Sequence, residues 1–216
     1  MASSKKFNIL CLHGYRQNGD TFKNKIGSFR KILKPYAEFS FIDAPHLAKK
    51  ILSEDEIGEE FRSWWFNQED GNFTTEMGPI DTGFDDSLKL VEETWKNGNY
   101  DGILAFSQGA SFLSAVCGMR MQNLTLINPK FVILACGFHS VSSSHTKFYK
   151  AKIDIPSMHI GGATDKVIPH VMHLELEEAF LNPFVYHHEG GHLIPASSKD
   201  RNAYRNFFDD LEIKKN

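Results

Sequence analysis

The sequence predicts an α/β protein whose mostly parallel, doubly wound sheet is covered by helices on both faces. Six short apolar runs are continuous rather than alternating, which is typical of parallel strands that are buried on both sides. They cover residues 7–12, 39–42, 103–106, 131–135, 157–160 and 184–186. Helical patterns lie between these runs, and strands that alternate with helices indicate βαβ units with right-handed crossovers.

Length and composition favour one globular domain over residues 1–216. A chain of 216 residues is long enough for one substantial core. Hydrophobic residues make up 41% of the chain and charged residues 24%, proportions that are ordinary for a folded globular protein.

Five helices are predicted, with apolar residues spaced so that they share one helix face. Asp20 and Thr21 offer capping side chains for the first helix, which carries apolar residues as far as Leu33 and is expected to end near Pro35. The other four are expected to begin, in chain order, near Asp85 or Asp86, at Ser107, at Pro169 and at Ser198.

The segment 45–79 does not follow this alternation of strands and helices. It is long and mixed in character, and it contains the aromatic run Trp64-Trp65-Phe66. Long irregular connections in compact domains are often lids or binding loops. We expect this segment to act as a lid or to form part of a pocket. The alternative is a structural excursion that packs its own aromatic residues.

Charge and hydropathy argue against two classes of partner. The net charge is -3, so no surplus of basic residues favours nucleic acid. No apolar run reaches the ~18 residues that a membrane span needs, and we expect no integral membrane association. The three cysteines, Cys11, Cys117 and Cys136, form no paired framework and are interpreted as buried free thiols. This predicts a cytoplasmic protein, with the nucleus as a second compartment; the sequence makes no prediction of oligomeric state.

A catalytic serine is predicted where the run 103–106 leads directly into a helix. The turn between them has the pattern small-x-Ser-x-Gly, with Ser107 at its centre and Gly109 at its end. In a nucleophile elbow, such a tight and strained turn exposes the serine hydroxyl. The usual pattern has glycine at the first position, where this chain has Ala105. The alternative role for Ser107 is to cap the helix N-terminus.

Two backbone N–H groups are candidates for an oxyanion hole. The N–H of Gln108 lies at the helix start, where the helix dipole favours negative charge. The second donor in such enzymes comes from an early strand-to-helix loop, and we assign it to the N–H of Tyr15, after Gly14. His13 precedes the serine in sequence, and we interpret it as a residue that shapes this loop.

The acid and the base of a triad are predicted after the later strands. Asp165 lies on a glycine-rich loop after the run 157–160, and His192 follows two glycines after the last run. The order Ser107, Asp165, His192 is the order of α/β-hydrolase triads. Asp165 could instead serve only as a helix N-cap.

Other histidines offer a metal site as a rival interpretation. His170 and His173 are spaced to share one helix face, but no third ligand has a matching spacing. His187 and His188 are neighbours at the end of a strand, where successive side chains point to opposite faces. We therefore expect no metal and no cofactor, and interpret His170 and His173 as solvated surface residues.

Motifs along nearly the whole chain resemble the FSH-type serine hydrolases. The most specific are LHGYRQNG at 12–19 and FSQGA at 106–110, in this order, and further matches lie at 42–45, 62–66, 100–103, 161–165 and 190–192. The resemblance implies an α/β-hydrolase fold, a triad of Ser107, Asp165 and His192, and esterase activity on carboxylic esters. One esterase type within the family implies a preference for longer acyl chains. Ala105 departs from the family pattern without removing any reacting group.

The expected substrate is a small-molecule ester that is neutral and lipophilic, because no charged cluster suggests a phosphate or a charged head group. The aromatic residues expected to contact it are Phe106, Trp64, Trp65, Phe66 and Phe138. The chain is thus predicted to be a carboxylic ester hydrolase of the EC 3.1.1 type. Three alternatives stay open: an acyl thioesterase, a peptidase with the same triad, and a non-catalytic homologue that binds acyl ligands or proteins.

Overall fold

A computed structural model describes residues 6–48 and 60–213. Its main sheet has six strands in the order β2-β1-β5-β6-β7-β8, and every neighbouring pair is parallel. A separate antiparallel pair is formed by β3 and β4. The strands are β1 (Phe7–Leu12), β2 (Ala37–Ile42), β3 (His46–Leu47), β4 (Arg62–Ser63), β5 (Gly102–Phe106), β6 (Phe131–Ala135), β7 (Ser157–Gly162) and β8 (Phe184–His188).

All six predicted strands are present, and the predicted fold class is confirmed. The central strands β5, β6 and β7 are buried along their whole length, which explains their continuous apolar sequences. The outer strands β2 and β8 are only partly buried and include polar residues, Glu38 near the start of β2 and His187 and His188 at the end of β8. The predicted runs there were therefore shorter than the strands. The pair β3–β4 was not predicted, because two-residue strands leave no periodic signal.

Six α-helices and a 3-10 helix accompany these strands in the described residues. Their bounds are α1 (Gly19–Lys25), α2 (Gly27–Leu33), α3 (Phe84–Asn97), α4 (Gln108–Met121), the 3-10 helix (Ser143–Tyr149), α5 (His170–Ala179) and α6 (Arg201–Ile213). None of the helices in this part of the chain is both long and apolar enough to cross a membrane.

The prediction of one first helix was wrong, because the chain forms α1 and α2 there. Ile26 separates them with φ −96° and ψ 21°, outside helical values. Gly27 follows, and glycine is a poor residue for continuing a helix. The N-cap of α1 is Asn18 rather than Asp20 or Thr21, since the Asn18 side chain accepts a hydrogen bond from the Thr21 N–H.

The helices cover both faces of the sheet. On one face, α1, α2 and α6 contribute the aromatic residues Phe22, Phe29, Tyr204 and Phe208 to a core beneath β1 and β6. On the other face, α3, α4 and α5 form a second core. Within it, Trp64 and Trp65, from the segment 45–79, are fully buried. Trp64 and Trp65 thus belong to the core of the domain. Residues 49–59 of the segment predicted to act as a lid or pocket wall lie outside the described residues.

The strand order reverses between β1 and β5. From β1 the chain continues outward to β2, whereas β6, β7 and β8 extend from β5 in the other direction. In open α/β sheets, ligands bind beyond the carboxyl ends of the strands at such a reversal. The loop after β1 holds His13 to Tyr15, and Ser107 follows β5 directly.

Candidate active site

Ser107 occupies a strained turn between β5 and α4. Its φ is 53° and its ψ is −119°, a combination that residues with a side chain rarely adopt. Its N–H donates to the carbonyl of Ala135 at 2.8 Å, and its carbonyl accepts from the N–H of Ser111 at 3.0 Å. The surrounding strand and helix therefore hold the strained backbone in place. This is the conformation that a nucleophile elbow requires.

The two small residues of the elbow have different surroundings. A Cβ on Gly109 would lie 2.5 Å from the carbonyl oxygen of His13 and 2.8 Å from that of Leu12. Only glycine fits that approach of the helix to the end of β1. Ala105 lies on β5 beside Leu12 and Leu134. Its methyl group is buried with them in the core that β5 forms with α3, α4 and α5. The departure from glycine at this position is accommodated by the core.

Ser107, His192 and Asp165 lie in one chain of hydrogen bonds. Nε2 of His192 is 3.0 Å from Oγ of Ser107, and Nδ1 of His192 is 2.7 Å from Oδ2 of Asp165. The loops that carry Asp165 and His192 are held together by backbone bonds, Ala163 N–H to His188 and Thr164 N–H to Gly190. The structure thus brings together the three residues that the sequence predicted as a triad.

The carboxylate of Asp165 has no exposed surface. Its Oδ1 accepts from the N–H groups of Val167 and Ile168 at 2.8 and 3.0 Å, as a capping side chain would. Burial alone would raise the pKa of this carboxyl, but the nearby imidazoles of His173 and His192 and the Ile168 N–H outweigh burial and lower it well below its usual range. Asp165 is therefore ionised at neutral pH. Its bonds to Val167 and Ile168 stabilise the turn before α5, but Asp165 is not the N-cap of that helix, which is Pro169.

The loop of His13, Gly14 and Tyr15, which we call the oxyanion loop, lies against the elbow. A Cβ on Gly14 would lie 3.3 Å from Cβ of Ser107. Within the described part of the chain, the N–H groups of Tyr15 and Gln108 donate to no acceptor. Both predicted oxyanion donors are thus available to a ligand at this edge of the sheet.

His13 shapes the oxyanion loop, as its position before the serine suggested. Its Nε2 accepts from the N–H of Ala44 at 3.0 Å, and its Nδ1 donates to the carbonyl of Gly14 at 2.8 Å. Burial lowers the pKa of His13 to about 4. The ring is therefore neutral at physiological pH and bonded at both nitrogens, which supports a structural role.

A group of potential metal ligands coincides with these residues. One atom each of Cys136, Asp165 and His192 lies within 4.8 Å of the others. Metal binding would need the thiolate of Cys136, but burial and the neighbouring Asp165 raise the pKa of that thiol. It would also have to replace the hydrogen bond between Asp165 and His192. The donor set therefore fits a proton relay better than a metal.

Comparison with known proteins identifies the family. A family model described as "Serine hydrolase (FSH1)" matches residues 1–204. The chain belongs to this FSH1 serine hydrolase family. The resemblance noted in the sequence is thereby confirmed, and the protein is a hydrolase.

Curated relatives of this FSH1 hydrolase are esterases. Esterase CG5412 of Drosophila melanogaster is 49% identical over 210 residues, which is 96% of this chain and 75% of that protein. Esterase OVCA2 of Danio rerio is 38% identical over 95% of this chain and 97% of its own. The motifs had also indicated a likeness to this esterase, which is named for the ovarian cancer-associated gene 2, and the likeness is confirmed. Activity of the esterase type follows for the FSH1 hydrolase.

A solved structure supports the fold. Zea mays acyl-protein thioesterase 2 has a TM-score of 0.64 to this FSH1 hydrolase, with 17% identity and coverage of 97% of this chain and 96% of the other. At that identity the likeness concerns the α/β-hydrolase fold.

A cavity of about 340 Å³ opens beside His192 in the FSH1 hydrolase. Apolar side chains make up most of its wall, with two polar ones among them: Phe22, Ile26, Phe106, Leu193, Ile194, Gln17 and Lys25. The ring of Phe106 also packs against the imidazole of His192, with centroids 4.9 Å apart. Phe106 was predicted from the sequence. The residues from α1 and from the loop after His192 were not, because nothing in their sequence marks them as facing the serine.

The other four aromatic residues predicted to contact substrate lie elsewhere. Trp64, Trp65 and Phe138 have no exposed surface. Trp64 stacks on Phe112, and Phe138 packs against Phe73. Phe66 borders a separate surface cavity with Leu47 and Gln68. The burial of Trp64, Trp65 and Phe138 corrects the expectation that these side chains would line the pocket: large aromatic rings contribute most when they fill a core. Phe66 is only partly buried, but it lies at a different cavity from the one beside His192.

Trp64 contacts the site indirectly, through a network that the sequence did not reveal. The side chain of Gln108 accepts from the N–H of Trp64 at 3.0 Å and donates to the carbonyl of Trp65 at 2.8 Å. Nε1 of Trp64 then donates to the carbonyl of His13 at 2.7 Å. Gln108 thus links the elbow to Trp64, and Trp64 holds the oxyanion loop.

The interpretation of His173 as a solvated surface residue was wrong. His173 is only 3% exposed, and its Nε2 lies 3.6 Å from Oδ2 of Asp165. It faces inward because its position on α5 turns it toward the loop that carries the acid. His170, from the first turn of α5, is half-buried, and its ring lies 4.9 Å from that of His187.

Proposed function

We propose that the protein is a serine carboxylesterase that uses Ser107, His192 and Asp165 as its catalytic triad. The observation that carries this proposal is the hydrogen-bonded chain from Asp165 through His192 to Ser107, which ends on the strained elbow beside an apolar cavity. A serine is a weak nucleophile unless an adjacent base takes its proton and a third group orients that base.

In the first half of the reaction, Oγ of Ser107 attacks the ester carbonyl while Nε2 of His192 takes its proton. Asp165 accepts a hydrogen bond from Nδ1 of His192, which keeps Nε2 free to act as the base, and it stabilises the imidazolium that forms. The N–H groups of Tyr15 and Gln108 stabilise the oxyanion of the tetrahedral intermediate. Its collapse breaks the ester bond, and His192 returns the proton to the leaving alcohol, so that Ser107 is left acylated.

In the second half, His192 takes a proton from water, which attacks the acyl-enzyme. The second tetrahedral intermediate collapses to the free acid, and the proton returns to Ser107. Losing one oxyanion donor typically raises such a barrier by ~3 kcal/mol. The two free N–H groups therefore account for a large part of the expected rate enhancement.

The preferred substrates in this proposal carry medium or long apolar acyl chains. The cavity beside His192 has mostly apolar walls, and its volume of about 340 Å³ is within the range of small-molecule sites. Burial of each methylene group contributes roughly 0.8 kcal/mol. We expect kcat/KM on p-nitrophenyl esters to rise from acetate toward longer chains. A profile that is flat, or highest for acetate, would remove the proposal of an apolar acyl site.

The nucleophile is tested with a fluorophosphonate probe. We expect labelling of the wild type and none of Ser107→Ala. Ser111→Ala is a matched control, because Ser111 is a buried serine one helical turn later whose hydroxyl has no hydrogen-bond partner in the described residues. A folded wild type that takes no label would favour the non-catalytic homologue. Labelled Ser107→Ala would place the nucleophile elsewhere.

The leaving group is tested with an ester, a thioester and an amide of one acyl group. The carboxylesterase proposal expects the highest kcat/KM for the ester. Faster turnover of the thioester would make the protein an acyl thioesterase, and turnover of the amide would make it a peptidase-like enzyme.

We also propose a cytoplasmic location. The cysteines Cys11, Cys117 and Cys136 are all buried and free, as is usual in a reducing compartment. The nucleus is equally reducing. Fractionation of cells that express the tagged full chain separates these compartments from the secretory pathway, where the proposal expects none of the protein.

A further inference from the structure

A second imidazole lies beside the proposed triad acid. His173 projects from α5, and its Nε2 is 3.6 Å from Oδ2 of Asp165, the same oxygen that His192 contacts at 2.7 Å. Both side chains are buried: His173 is 3% exposed, and Asp165 has no exposed surface. We propose that His173 is a positioning residue: its protonated Nε2 pairs with Oδ2 of Asp165 and so keeps the carboxylate oriented toward His192. This inference rests on the proposed triad.

The hydrogen bonds of His173 determine which atoms carry protons. Its Nδ1 lies 2.8 Å from the carbonyl of Gly137. A carbonyl oxygen can only accept, so Nδ1 must be the donor. If the ring carried only that proton, the lone pair of Nε2 would face a carboxylate oxygen inside the protein. Two buried acceptors that face each other without a proton are costly.

Nε2 of His173 has no other partner to explain its burial. Among the described residues it makes no hydrogen bond at the 3.6 Å separation seen here. A proton on Nε2 turns the unfavourable contact into an attraction between an imidazolium and a carboxylate. The 3.6 Å separation is already within ion-pair distance, and the carboxylate is held in place by the Val167 N–H and by His192. Asp165 would thus be held between two imidazoles.

Among the residues that the structure describes, the groups around His173 supply no competing negative charge at Nε2. The titratable side chains that face it are Asp165, His170 from its own helix at 6.1 Å between ring centroids, and His187 and His188 from β8. Of these, only Asp165 is acidic. Glu177, also on α5, is bonded to His187 at 2.7 Å. Asp165 is therefore the counter-charge for a proton on His173.

Sharing Asp165 has a consequence for the reaction. Part of the carboxylate charge is directed to His173, so His192 receives less of it. Without the second imidazolium, the undivided charge would hold a proton on His192 more tightly. The acidic limb of the kcat/KM profile would then move to higher pH. A residue that only supported the fold would not move this limb.

Two substitutions distinguish the roles of the two ring nitrogens of His173. In His173→Gln, the side-chain amide reaches the position of Nε2 and keeps a donor toward Asp165. In His173→Asn, the amide nitrogen of the shorter side chain takes the place of Nδ1 and keeps the hydrogen bond to the Gly137 carbonyl. No donor then faces Asp165. We expect kcat to fall roughly 10- to 100-fold in His173→Asn, as for other misplaced catalytic groups, and clearly less in His173→Gln, with KM little changed. Both variants should show the shifted acidic limb.

The reverse order, with His173→Asn as active as the wild type and His173→Gln impaired, would overturn the inference and leave His173 as a support for Gly137. An unshifted acidic limb in both variants would also overturn it. Fluorophosphonate labelling counts the competent sites, so that loss of folded protein is not mistaken for lower kcat. If Ser107→Ala keeps esterase activity, the triad itself fails. If it is inactive and the His173 variants behave as the wild type, only this inference fails.

A measurement on the unaltered protein covers the case in which neither variant folds. Neutron diffraction of the wild-type protein locates exchangeable hydrogens directly. We expect deuterium on both ring nitrogens of His173 and an Nε2–Oδ2 contact within hydrogen-bond distance. A bare Nε2 would contradict the proposal.

Discussion

Substituting Gly109 by alanine tests how closely the elbow and the oxyanion loop must approach. The added Cβ would lie 2.5 Å from the carbonyl oxygen of His13 and 2.8 Å from that of Leu12. Both are backbone atoms, and real Cβ contacts are essentially never shorter than 3.0 Å. The start of α4 or the oxyanion loop must therefore move by at least about 0.5 Å, and catalytic groups tolerate errors of about this size or less.

That displacement separates two groups that are proposed to act on the same atom, because the N–H of Gln108 is carried by α4 and the N–H of Tyr15 by the oxyanion loop. A misplacement of 1 Å can cost about 10²-fold in rate, and overpacking a core costs about 1–3 kcal/mol. For Gly109→Ala we expect kcat/KM to fall roughly 30- to 100-fold and the free energy of unfolding to fall by about 1–3 kcal/mol.

The assay is steady-state hydrolysis of a p-nitrophenyl ester together with urea unfolding. Gly27→Ala is the matched control, because a Cβ at the start of α2 would have no atom within 4 Å. Its kcat/KM should equal that of the wild type, with a stability equal to or slightly above it. Wild-type activity in Gly109→Ala would refute the claim that this close approach positions the oxyanion donors.

Three further predictions concern residues around the site. Trp64→Phe removes the donor to the His13 carbonyl. We expect steady-state kinetics to show a roughly tenfold lower kcat and urea unfolding to show a loss of about 1–3 kcal/mol of stability. Unchanged values would show that Trp64 does not hold the loop. Burial lowers the pKa of His13 to about 4 from the usual 6.5, so its contribution to stability is complete above pH 6.5 and is lost as the pH falls toward 4, by up to about 3 kcal/mol. In unfolding experiments from pH 7 to 4, His13→Gln should therefore show a shallower decline than the wild type; equal slopes would mean that His13 does not titrate in this way. Burial and Asp165 raise the pKa of the Cys136 thiol, so little of the reactive thiolate is present at pH 7.5. We therefore expect the folded enzyme to keep its activity in iodoacetamide at that pH. Rapid inactivation that Cys136→Ser prevents would contradict this.

Sequence reasoning recovered the fold and the three proposed triad residues because their signals are local. Buried parallel strands have continuous apolar sequences, and a serine between such a strand and a helix predicts an elbow. The loops of Asp165 and His192 were identified by glycines at strand ends and by their order along the chain. Parallel strands bring their carboxyl ends to one edge, so this order was enough to predict that the three residues meet.

The pocket and the proposed role of His173 could not be predicted, because they depend on how separate elements pack. Trp64 and Trp65 stand in an irregular segment, and nothing local distinguishes a pocket wall from a core. The spacing of His170 and His173 places both on one face of α5 but does not say what that face meets. The break at Ile26 was missed for a related reason. The apolar residues of α1 and α2 are spaced as in one continuous helix, because both helices pack against the same core.

The claim that Ser107 is the nucleophile is tested most directly by trapping the acyl-enzyme during turnover. A p-nitrophenyl ester of medium chain length is mixed with the wild-type enzyme, the reaction is stopped with acid, and the peptides are analysed by mass spectrometry. We expect the mass of the acyl group on Ser107, together with a burst of about one p-nitrophenol per active site. An acyl group on another residue, or steady turnover without any acylated peptide, would contradict the proposed mechanism.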